Sequence, residues 1–79
     1  MSATSLAIGT ELYLRRLAAG IPVGSVAHKV GLSPSFLSVI EANHREPPIR
    51  LADEIRQAIL ELSGGYWDPF TDEYLAVPG

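Results

Sequence analysis

No cysteine occurs in the 79 residues, so disulfides and thiolate metal sites are excluded, and a reducing compartment is compatible with the chain. Nor does any uncharged run approach the roughly 18 apolar residues at which a bilayer span begins. The opening MSATSLAIGTELYLRR lacks the basic segment ahead of an apolar run that marks a secretory leader. Together these absences predict a cytoplasmic protein without a membrane partner. Positive charge is missing from the last part of the chain, since no Lys, Arg or His follows Arg56. It is scarce in one further place: from Ser33 to Asn43 the only charged residue is Glu41, with no Gln, Lys or Arg. No internal repeat or low-complexity segment is visible.

What is present fits one small globular domain. Hydrophobic residues make up 47% and charged residues 19%, a balance that sets the chain apart from disordered sequences. A domain of this size buries roughly 60% of the surface its unfolded chain exposes, so its core is small and dimerisation is a natural supplement. The net charge is −3. Six bases (Arg15, Arg16, Lys29, Arg45, Arg50, Arg56) balance six acids (Glu11, Glu41, Glu46, Asp53, Glu54, Glu61) up to residue 62, and the excess comes from Asp68, Asp72 and Glu73. A neutral body with an acidic tail permits nucleic-acid binding but predicts weak non-specific affinity, because counterion release scales with the phosphates neutralised.

Helical spacing recurs along the body. A helix is expected over about 5–19, with Ile8, Leu12 and Ala19 on one face, a second stripe of Leu6, Tyr13, Leu14 and Leu17, and Gly20 as stop. Two apolar faces imply two packing partners, either both within the chain or including a partner subunit or the tail. A short helix over about 23–30 follows, opened by Pro22, carrying Val23, Val26, Ala27 and Val30, and ended by Gly31. Ser33 is a good N-cap for the next helix, with Pro34 at its first position. That helix directs Phe36, Leu37 and Ile40 toward the core and stops at Asn43, which tolerates the left-handed conformation. Pro47-Pro48 separates it from a last long helix bearing Leu51, Ile55, Ala58, Ile59 and Leu62, which breaks at Ser63-Gly64-Gly65.

The tail, residues 63–79, holds four of the six aromatics: Tyr66, Trp67, Phe70 and Tyr74. Asp68-Pro69 reads as a cap and first position, so a fifth helix is expected over about 69–76. So much apolar area predicts that Trp67, Phe70 and Tyr74 pack, in the same chain or across a dimer.

The order of short helix, Gly-Leu-Ser turn and second helix resembles the lambda-repressor/Cro type of helix-turn-helix over about residues 8–62. The pattern S-x-x-x-L-S-x-I-E-x-N-x-R-x-P is present as Ser33, Leu37, Ser38, Ile40, Glu41, Asn43, Arg45 and Pro47. The resemblance implies an all-α, compact four- to five-helix lambda-repressor-like domain over 1–62, with its motif at about 23–43 and a C-terminal aromatic, acidic tail. It makes Ala27 the small contact between crossing helices and Gly31 the turn, with Leu32 plugging the space beneath. Leu37, Ile40 and Glu41 complete the structural set.

It further implies a sequence-specific DNA-binding transcriptional regulator, a small phage, prophage or plasmid repressor that binds an inverted-repeat operator on double-stranded DNA as a homodimer. Pro34, Ser35, Ser38 and Val39 would meet base edges, and Ser33, His44 and Arg45 would meet phosphates. Exposed positions make His28 and Arg50 either further phosphate contacts or ordinary solvated surface. Serine hydroxyls can bond to most bases, whereas Pro34 and Val39 can only touch a thymine methyl, so reading would be sparse and would lean on DNA shape. Three positions depart from the family pattern. Val23 stands where Gln often contacts phosphate, which costs that contact. Pro22 and the poor helix former Gly24 replace a Ser-capped start, and Arg15 falls where a core Leu is expected unless Leu14 serves instead.

The alternative is a protein-interaction module, antirepressor- or antitoxin-like, with weak or no DNA binding and a regulatory protein partner held through the tail. Other chemistries find little support. Glu41 and His44 make a single E-x-x-H without the further ligands a metal bundle needs, so no metal or cofactor is expected, and Glu41 is better suited to pairing with Arg45 or Arg16. Ser25, His28 and Asp53 lack a strained nucleophile turn, so an enzyme is not expected.

Overall fold

The computed structural model describes residues 7–78, leaving Leu6 and the first residues of the expected first helix outside. Four helices, α1 (Ile8–Ala19), α2 (Val23–Val30), α3 (Pro34–Glu41) and α4 (Ile49–Ser63), are followed by a two-stranded sheet of β1 (Gly65–Asp68) and β2 (Glu73–Ala76). Local chemistry fixes the helix ends. Gly20, Gly31 and Gly64 each close a helix in the left-handed conformation. At Gly31 (φ 79°) the turn lets the Leu32 N–H reach back to the Ala27 carbonyl at 2.8 Å, which sets the angle at which α3 leaves α2. The Ser33 Oγ accepts the Phe36 N–H at 3.1 Å and caps α3, with Pro34 in its first turn.

The core is formed by Leu12 of α1, Val26 and Ala27 of α2, Leu37 and Ile40 of α3, and Ile55, Ala58 and Ile59 of α4. Each large aliphatic side chain among these contributes about 1.5–3 kcal/mol on burial. Leu12, rather than Leu14 or Arg15, is the fully buried leucine of α1. The helices α1 and α3 meet through backbone, since a Cβ on Gly9 would strike the Ile40 carbonyl oxygen. Asn43, with φ 66°, donates from Nδ2 to the Thr10 Oγ1 at 2.8 Å and ties the end of α3 to the start of α1.

Three expectations are corrected. The fifth helix over 69–76 is instead the loop and second strand of an antiparallel hairpin, in which Tyr66 faces Leu75 and Trp67 faces Tyr74. The Asp68-Pro69 cap does form: the Asp68 Oδ1 accepts the Phe70 N–H at 2.8 Å. One turn later the Asp72 N–H donates to the Asp68 carbonyl, and Asp72 enters the left-handed region (φ 60°), which reverses the chain before a helix can propagate. Alternation then buries Tyr66 and Asp68 against the body and turns Trp67 outward. The second correction concerns packing within the chain alone: there Trp67 is 55% and Tyr74 59% exposed, Phe70 is exposed but stacks on Arg15, and the buried aromatic is Tyr66, while packing across a dimer stands as an expectation. Third, Phe36 does not enter the core but lies exposed beside Arg45, whose guanidinium carbon is 5.9 Å from its ring centre.

Candidate nucleic-acid interface

The helix α3 presents one polar face. Pro34, Ser35 and Ser38 are exposed and Val39 is half-buried, while Leu37 and Ile40 on the opposite side are inside the core. Period 3.6 produces this division, because Leu37 and Ile40 recur one turn apart and place Ser35 and Ser38 on the far side. The tail does not cover this face: β1 of the hairpin packs on α1 and α4. A depression of about 420 Å³ flanks Ser38 and is lined by Tyr13, Arg16, Glu41 and Ala42. Tyr13 is thereby brought beside α3, a neighbour that the sequence pattern did not single out.

The residues expected at phosphates fall into two groups. His44 and Arg45 lie exposed in the loop after α3, and Arg50 lies exposed in the first turn of α4. Stacking on Phe36 turns Arg45 back toward the first turn of α3. Ser33 caps α3 through its oxygen and keeps its hydroxyl proton for an outside acceptor. His28 is also exposed, on α2, which begins with no side-chain cap on its backbone N–H groups. Arg45 and Arg50 have no ion-pair partner among the described residues.

The other four bases are engaged. Arg16 forms a two-pronged pair with Glu41, at 2.8 Å and 2.9 Å, and also donates to the Ile21 carbonyl. The two side chains are 12% and 7% exposed, so this pair holds α3 against α1 largely out of water. Glu41 therefore pairs with Arg16 and not with Arg45. Arg56 grips Glu11 at 2.7 Å and Asp53, and holds the Glu11 carboxyl below its ordinary range despite partial burial. Lys29 reaches Glu61 at 3.3 Å on the surface.

Arg15, in the position expected for a core Leu, clamps the hairpin instead. It donates to Glu11 at 2.7 Å, lies 3.2 Å from both the Tyr66 hydroxyl and the Asp68 carboxylate, and stacks 4.9 Å from the Phe70 ring centre. Burial pushes the Asp68 carboxyl up, but hydrogen bonds from the Phe70 N–H, Thr71 and Arg15 outweigh it and leave the group below its ordinary value. Comparison with protein-family models, curated proteins and solved structures finds no match to this chain.

Proposed function

We propose that the chain is a sequence-specific DNA-binding regulator of the lambda-repressor/Cro type, working as a homodimer on an inverted repeat. The observation that carries this reading is the exposed Ser35 and Ser38 face on a capped helix, with Arg45 over Phe36 of that helix and Arg50 exposed at the start of α4, the two arginines without an ion-pair partner among the described residues. The serines, with Pro34 and Val39, meet base edges in the major groove. Arg45, Arg50, Ser33, His44 and His28 hold phosphates on either side. Half-site centres lie about 10–10.5 base pairs apart, one turn of the duplex. Occupancy of the operator excludes polymerase, and the protein acts as a repressor.

Sparse charge gives this binding its character. Two free guanidinium groups per chain predict a salt slope of about −4 for a dimer, at −0.9 per phosphate neutralised. Selection from a random duplex pool at moderate salt tests the proposal, with an inverted repeat of that spacing as the expected product. A pool that shows no enrichment after repeated rounds argues for a second reading, in which the helices serve as a scaffold for protein contacts. The exposed aromatic, acidic hairpin favours that second reading.

A further inference from the structure

The two faces of the hairpin carry similar chemistry, and among the described residues an arginine lies against the inner one. On the inner face an arginine is held by a ring and a carboxylate together: Arg15 stacks 4.9 Å from the centre of Phe70 and lies 3.2 Å from the Asp68 Oδ2. On the outer face Trp67 and Tyr74 stand opposite one another across the strands, and the Trp67 Nε1 donates to the Asp72 Oδ1 at 2.8 Å. That hydrogen bond fixes a carboxylate at the edge of the indole ring. Tyr74 is anchored as well, because its hydroxyl end lies over Gly65, where no Cβ intervenes. Among the described residues no cation pairs with Asp72.

We propose that the outer face, formed by Trp67, Tyr74 and Asp72, is a docking surface for an arginine-bearing segment of a partner protein. The partner's guanidinium would lie over the indole and phenol rings while its N–H groups meet the Asp72 carboxylate, as Arg15 does on the inner side. Charge complementarity selects this occupant. No base follows Arg56 in the chain, and Glu73 beside the loop adds to the negative field. A nucleic acid is repelled by those carboxylates. Because the hairpin packs on α1 and α4, docking does not compete with the exposed face of α3. The inference stands whether or not α3 binds DNA.

Trp67 is the only tryptophan, so the intact protein reports on its own site. Its emission is followed while an acetylated nonapeptide of alternating arginine and threonine is added. The control is the same peptide with every arginine replaced by citrulline, which keeps the planar urea but removes the charge. The expected result is a saturable change with at least tenfold weaker binding of the citrulline peptide. Asp72→Asn, which keeps both the hydrogen bond to Trp67 and the left-handed backbone, should weaken the arginine peptide at least fivefold. Equal affinity for the two peptides, no response to either, or Trp67 emission that shifts with protein concentration alone (a second copy on the face) would each overturn the proposal.

Discussion

Arg15 and Arg16 are adjacent on α1, yet they secure two regions with opposite properties. Arg16 reaches Glu41 and fixes α3, whose outward face is polar, uncharged and short of contacts of its own. Arg15 reaches Asp68 and Tyr66 and fixes a hairpin whose outward face is aromatic and acidic. The helical corner is held mainly by an apolar core, with the ion pair setting its orientation. The hairpin has little core of its own beyond Tyr66 and Leu75, and a two-stranded sheet is marginal in water without support. The same guanidinium–carboxylate pair therefore orients one region, whereas it attaches the other. Substitutions on the two sides should separate accordingly.

The largest effect is expected at Glu41. Glu41→Ala leaves the Arg16 guanidinium without its partner, and breaking a buried pair costs roughly 3–5 kcal/mol. Urea unfolding followed by helical circular dichroism measures this, and a cost under about 1 kcal/mol would mean that the pair behaves as a surface one. Arg15→Met should cost less, about 1–3 kcal/mol, because the Asp68 carboxylate keeps its bond from the Phe70 N–H, and should act locally. Amide exchange is expected to accelerate across residues 65–76 while the protection of α2 and α3 is retained. Uniform acceleration would show that hairpin and helices open as one unit.

Acid provides the same separation without a substitution. The folded Asp68 carboxyl lies below its ordinary value of 3.8, so its contribution is complete above that value and is lost as pH falls through the lower folded one. Trp67 emission should therefore change below about pH 3.8, and Asp68→Asn should remove that transition. A smaller effect is expected at the cap: Ser33→Ala removes the hydrogen bond to the Phe36 N–H and should cost about 1 kcal/mol, read from thermal unfolding. The smallest concerns DNA alone. Arg45→Ala should cost no more than about 1 kcal/mol of stability, for the contact with Phe36, and should reduce the salt slope by about 1 per half-site.

How much of this could be read from the sequence divides along the same line. Breakers and caps mark α2, α3 and α4 almost to the residue, because Gly31, Ser33-Pro34, Pro47-Pro48 and Gly64 act through local sterics. The hairpin is not marked in this way, because Asp68-Pro69 opens a helical turn and a hairpin loop with the same hydrogen bond. The signal that separates them is the alternation of Tyr66 and Asp68 with Trp67, directly after two glycines. Arg15 is legible only as a departure from an expected leucine, since its partners other than Glu11 lie 51 residues and more along the chain, in a tail whose path local sequence does not fix. The sparse α3 face was legible in full as an absence of charge. That Arg45 lies over Phe36 was not, because it depends on a ring that periodicity assigned to the core.

The most direct test is an amide spectrum of the full protein titrated with the duplex it selects from a random pool. Shifts confined to His28 and to residues 33–39 and 44–50, with residues 65–76 unmoved and with weakening as salt rises, are the predicted result. Shifts centred on the hairpin, or an identical pattern with a duplex of unrelated sequence, would contradict a groove-reading α3.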